Sequence, residues 1–408
     1  MKALLGLPAS SLFFALLTVC GCQTSVWPAS RLEITPAGNF VAWIRTEHTA
    51  IPWGPENLSL RERHYVCWVS AEDVANQRKL RVFSWSGAGV SLHKSGMTHI
   101  SISPDSRHLG VVSGGDIFII DMKSVAHFSV SARGVSSLGW LDEDHFGYVT
   151  YSASSDKGAA HTFWRRSLSD PSQEADIIHQ DVDVEGYLSS HWPLEYWSPD
   201  GRYVVCQGEG AGIQLLSTET GTVRRLSGGS GELRASWKPD SSAVVWTTSR
   251  MRYGHPDNYS TYMLDLVKDE VVDLSTEFRR MFGMERPEYE PLWTADGMFL
   301  VGSDLWRGGY LIQPSPWRVV PIGEMLRKEE ELDYAPWIRR QPAPGLVVTR
   351  PVPDHTWVVN YAGEVVRDLP SDGVFEWTVF PDGRKAAMLN EDMRIVIKQL
   401  DLPASERH

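Results

Sequence analysis

Short runs of alternating apolar and polar residues recur along most of the chain, and the same turn phrase introduces many of them. An aromatic or aliphatic residue is followed by Ser-Pro-Asp-Gly or a near relative, then by an apolar run. The phrase reads Ile102-Ser103-Pro104-Asp105-Ser106, Trp197-Ser198-Pro199-Asp200-Gly201 and Trp237-Lys238-Pro239-Asp240-Ser241. It returns as Trp293-Thr294-Ala295-Asp296-Gly297 and Phe380-Pro381-Asp382-Gly383, with a weaker copy at Ile34-Thr35-Pro36-Ala37-Gly38. Pro presets φ, and Asp and Gly tolerate the rest of the turn. Each phrase therefore predicts a hairpin: strand a, the turn, then strand b.

The apolar runs place strand b at 40–45, 108–113, 146–151, 203–207, 243–248, 298–303, 346–350 and 385–389. Strand c follows at 64–70, 116–122, 162–168, 212–217, 261–266, 309–313, 356–361 and 394–400. A looser strand d closes most units, as at 79–85, 175–180, 223–227, 271–275, 317–322 and 365–369. The spacing of about 49 residues falls near the ~40–50 of a propeller blade. The predicted fold is all-β: a single propeller over 31–402, of four-stranded antiparallel blades, eight in number, with seven as the alternative. The third turn, at Trp140-Leu141-Asp142, lacks the Pro, and the seventh, near Pro342, is degenerate. The eighth unit lacks a strand d before the tail 403–408. An open blade leaves an unpaired edge, so residues 23–30 are expected to close the ring by pairing with 394–400.

Composition narrows the partners. The 408 residues include 17 Trp and carry a net charge of −12 with no basic run. A nucleic-acid surface needs a Lys/Arg stripe, so no nucleic-acid partner is expected. Residues 1–21 read as a targeting segment: Lys2, then an apolar stretch from Ala3 to Thr18, too short for a comfortable span. It ends in Val19-Cys20-Gly21-Cys22-Gln23. That spacing resembles the lipobox of bacterial lipoproteins. The resemblance implies cleavage before Cys22, lipid on Cys22, and a lipidated N-terminus over 22–30. Gln23 after it resembles signals sent on to an outer membrane, with the chain facing the periplasm. Cys67 and Cys206 fall in strands of different units, so buried free thiols are expected rather than a disulfide.

The turn phrase, strand b and endings such as Ile119-Ile120-Asp121 and Met263-Leu264-Asp265-Leu266 together resemble the TolB-type, WD-like propeller repeat, over nearly all of 30–402. The resemblance implies a fold and no particular activity, because such repeats serve many roles.

Candidate chemistry lies in the connections. In a four-stranded blade the a–b and c–d turns open on one end, and the b–c and d–a connections on the other. Most long connections are of the second kind: 46–63, 181–194, 250–259, 276–291 and 323–336. These loops and their surroundings hold Trp192, Arg252, Tyr253, His255, Phe278, Arg279, Phe282 and Trp306. Tyr, Trp and Arg are enriched in binding hot spots, and loops on rigid scaffolds carry function. These eight residues are the expected binding site for a protein or envelope-associated partner.

No cofactor, metal or catalytic residue is expected. Asp181-Val182-Asp183-Val184-Glu185-Gly186 begins like a calcium loop, but its twelfth position is Trp192 instead of an acid. The histidines lack zinc spacing. Gly228-Gly229-Ser230-Gly231-Glu232 fails as a nucleophile elbow at its last position. The expected function is a binding or scaffold module. The competing class is a lyase or hydrolase with its site at the axis of the same end.

Overall fold

The computed structural model describes residues 24–28, 32–52, 58–88, 99–113, 115–132, 134–154, 158–184, 195–207, 212–227, 232–252, 255–276, 292–294, 297–302, 309–314, 317–321, 337–343, 346–352, 355–360, 364–370 and 373–400. These form eight antiparallel sheets in chain order. Six have four strands, the first has five and the last has three. Strands b and c start or end within a few residues of the expected positions, as at His108–Ser113 and Tyr203–Gln207.

Each turn phrase works as a small hydrogen-bonded unit. In the fourth sheet the Ser198 hydroxyl donates to Asp200 Oδ1 at 2.7 Å and accepts from Tyr203 N–H at 2.9 Å. Asp200 Oδ1 also accepts from Arg202 N–H at 3.1 Å. Gly201 N–H closes the turn on the Ser198 carbonyl at 2.9 Å. The fourth position needs positive φ: Gly38, Gly201, Gly297 and Gly383 lie between 68° and 79°. Glycine adopts that region without a Cβ penalty. Ser106 and Ser241 hold the same position at φ 60°. Each uses its hydroxyl to accept a backbone N–H from the preceding sheet's turn, Ala37 at 2.9 Å and Asp200 at 3.1 Å.

The sheets pack face to face around a ring, and the abundant Trp residues explain how. Trp197 donates its indole N–H to Ser137 Oγ of the third sheet at 3.2 Å, and Trp237 to the Tyr196 carbonyl of the fourth at 2.9 Å. Trp377 reaches the Pro370 carbonyl of the seventh sheet at 3.2 Å. Each of these three rings packs in a seam and satisfies its one donor. Apolar clusters fill the seams between the first and second sheets, the second and third, the third and fourth, the fourth and fifth, and the seventh and eighth. The backbone N–H of Trp293 donates to Ser236 Oγ between the fifth and sixth sheets, at 2.9 Å.

Closure differs from expectation. The segment Thr24–Pro28 is a strand, but it pairs antiparallel with the first sheet, Thr24 opposite Thr49 and Pro28 opposite Arg45. It does not pair with Ile395–Gln399, the outermost described strand of the eighth sheet. The ring is closed by side chains instead. Leu32, Val41, Trp43, Cys67 and Val69 of the first unit pack on Phe380, Ala387, Leu389, Met393 and Ile395 of the eighth. Leu32 N–H donates to Glu376 Oε2 at 3.0 Å, and Gln77 Nε2 to the Met393 carbonyl at 2.9 Å. The reason is strand length. Strand b of the first sheet runs over Phe40–Pro52 and offers a free edge beyond Arg45, where the two-residue inner strand Glu33–Ile34 has ended.

Candidate functional site

The two ends of the ring differ. On one end lie the tight a–b and c–d turns, such as Ser70 opposite Asp73 and Asp265 opposite Glu270. On the other, several connections read as loops are prolonged hairpins. In the first sheet Phe40–Pro52 pairs with Leu58–Ser70 over its whole length, and Asp73–Ala88 pairs alongside as far as Ala88 opposite Ser59. With Thr24–Pro28 this makes a four-stranded arm continuous with the blade. In the fifth sheet Ala243–Arg252 and His255–Asp265 form one hairpin, with Arg252 opposite His255 at its end. In the third, His145–Ser154 pairs with Gly158–Ser167.

The expected binding residues distribute as follows. Arg252 and His255 are strand partners at a hairpin end on the elaborated side. Tyr253, Trp192, Phe278, Arg279, Phe282, Trp306 and the acylation residue Cys22 lie outside the described residues. Asp181 and Val182 are in a strand, opposite His161 and Ala160, so the acidic string begins in a sheet and not in a loop.

The seam between the third and fourth sheets carries a group that sequence reading passed over. Glu195 opens the inner strand Glu195–Trp197 and is only 3% exposed. It stands opposite Cys206 in the pleat, on the side that Trp197 turns to the third sheet. Neither carboxyl oxygen has a hydrogen-bond partner of ordinary geometry. Burial pushes the carboxyl up to about 7, against the opposing pull of the Ser136 and Ser137 hydroxyls. His161 is also buried, beside the ring of Tyr151, with Nε2 unpartnered. Burial drives its imidazole down to about 4. Both groups are therefore held toward their neutral forms, as desolvation dictates.

A carboxyl that titrates near neutrality is the kind that general acid–base chemistry uses. Glu195, however, is sealed between two sheets. His99 opens the inner strand of the second sheet, His99–Ile102. Surrounding protein lowers its pKa, and Glu33 pulls the other way. Cys67 and Cys206 are free and buried, as expected, and desolvation lifts the Cys67 thiol to about 12.

No protein-family model matches the chain, and no curated protein matches it. Among solved structures it is similar to the Dos1 propeller, at 10% identity and a TM-score of 0.54, over 92% of this chain and 95% of that one. It is similar to the β-propeller domain of the Trilobed protease from Pyrococcus furiosus at 14% identity and a TM-score of 0.48, over 85% and 97%. It is similar to the tricorn protease at 12% identity and a TM-score of 0.45, over 91% of this chain but only 42% of that one. The chain thus spans less than half the length of the tricorn protease. At these identities the likeness concerns the fold alone. Antiparallel sheets packed in a ring, with the Dos1 propeller as a structural neighbour, make this chain an all-β propeller.

Proposed function

We propose that this propeller, with each of the eight sheets serving as one blade, is a lipid-anchored binding or scaffold module of a bacterial cell envelope. Cys22 holds it, most simply to an outer membrane facing the periplasm. The end formed by the b–c and d–a connections takes a protein or envelope-associated partner. One observation carries this reading: the turn end is built from minimal hairpins, whereas the other end is extended by the arm of the first sheet and the long hairpins of the third and fifth. A rigid ring with one elaborated end is a scaffold for recognition.

The test is capture of partners from membranes with the lipidated protein. Tyr253→Ala combined with Arg279→Ala should reduce capture and leave the melting temperature unchanged, because loop changes rarely cost much stability. Val267→Ala is the control: Val267 is 82% exposed in a turn on the opposite end. Asp200 and Asp240 would be poor controls, because both hold turn backbone in place. Capture lost with Val267→Ala and kept with the paired change would overturn the assignment.

A further inference from the structure

The register of the N-terminal strand fixes where an anchor at Cys22 would emerge. Thr24–Pro28 runs antiparallel to strand b of the first sheet, so the chain start points toward the far end of the arm. Thr24 lies opposite Thr49, and Pro52 opposite Leu58 marks the last described pair of the hairpin. Cys22 is two residues from Thr24, a reach of at most ~7 Å. Thr49 is three residues from Pro52, ~10 Å along the strand. A lipid on Cys22 therefore leaves the protein close to the arm's end. Strand b continues seven residues past Arg45, so the arm runs on for ~23 Å beyond the blade proper.

From this juxtaposition, and resting on the acylation of Cys22, we propose that the end of the arm seats in the headgroup region of a lipid bilayer. The arm then stands the propeller off the membrane with its elaborated end turned toward the lipid and its turn end away. One feature of the arm fits that occupant. Its paired strands end in Ile51, Pro52, Leu58 and Leu60.

The test uses the full lipidated protein reconstituted in vesicles of phosphatidylethanolamine and phosphatidylglycerol. An environment-sensitive fluorophore is attached at Ala50→Cys or Ser59→Cys on the arm, or at Val267→Cys on the turn end. Ala50 and Ser59 lie on opposite faces of the pleat, so a fold defect or an awkward orientation at one leaves the other. Cys67 and Cys206 are buried and spare the labelling. An arm label should be quenched several-fold by spin-labelled lipids and shielded from aqueous iodide, with the Val267 label showing neither effect. Both arm labels open to iodide, on protein whose N-terminal peptide carries the lipid mass, would overturn the seating alone. Absence of the lipid mass and of vesicle binding would overturn the anchor reading, and the seating with it.

Discussion

Trp197 donates its indole N–H to Ser137 Oγ at 3.2 Å, across the seam between the third and fourth sheets. The same ring occupies the space where a Cβ on Gly139 or Gly147 would stand. Two glycines in strands, ordinarily a cost, here make the room that lets a Trp cross the seam. Gly139→Ala should force the ring away and destabilise the protein by about 1–3 kcal/mol, as overpacking does. Urea denaturation measures this; a Gly139→Ala variant as stable as the parent would show that the seam is loose.

The two serines at positive φ give a sharper comparison. Ser106→Gly removes the backbone strain and loses the hydroxyl that accepts Ala37 N–H. Ser106→Ala loses the same bond and keeps the strain. With a hydrogen bond worth ~0.5–1.5 kcal/mol and the strained φ worth ~1–2 kcal/mol, Gly should be near neutral and Ala should cost about 1 kcal/mol. The same ordering is expected at Ser241, which accepts from Asp200. Thermal melts of the four variants check it, and Ala equal to Gly at both sites would contradict it.

Glu195 predicts a pH dependence of stability. Its folded value, about 7, lies above the unfolded 4.5, so the native state binds more protons between them. Stability is therefore fully present below pH 4.5, falls as pH rises through 7, and stays lowered above it. His161 works in the other direction: its imidazole, held near 4 instead of 6.5, costs stability as pH falls through that window. The two slopes oppose each other in the parent between pH 4.5 and 6.5. Glu195→Gln should leave only the His161 slope, with stability rising with pH from 4 to 6.5. Above pH 7 it should gain on the order of 3 kcal/mol, less the cost of burying an amide. Parent and variant curves that stay parallel from pH 4.5 to 8 would refute the burial argument.

Closure by side chains predicts that the N-terminal strand and the closing seam are separable. Deleting residues 24–28 should loosen the arm and leave the cooperative melt of the ring close to the parent. Glu376→Ala removes the acceptor of Leu32 N–H in the seam and should cost about 1 kcal/mol, the worth of the hydrogen bond it removes. Hydrogen exchange separates the cases: the deletion should speed exchange on the arm, and Glu376→Ala in the first and eighth sheets.

The turn phrase made most of this fold legible, because Ser, Asp and Gly each have one job in the hairpin and recur wherever it does. Strand positions after it followed from the pleat. The partner of Thr24–Pro28 was not legible. Counting strands pointed to the eighth blade, but the free edge was created by the overlong strand Phe40–Pro52. Its outer part, Thr46-Glu47-His48-Thr49, is polar at every position and reads as loop, since no apolar face specifies a strand there. Glu195 could have been found. It holds the place, two residues before the turn phrase's aromatic, that Ile100, Leu138 and Ala235 hold in other units. A charge in a repeated apolar position signals a buried group with a raised pKa or a special contact.

The account turns on which end of the ring recognises a partner, and photo-crosslinking reads that directly. A photoreactive amino acid replaces Arg252 at the end of the fifth sheet's hairpin in one strain and the exposed Val267 in another. Both proteins are expressed in living cells and irradiated. The account predicts discrete protein or envelope adducts from position 252 and none from 267. Adducts from 267, with position 252 silent in a protein of normal abundance, would contradict it.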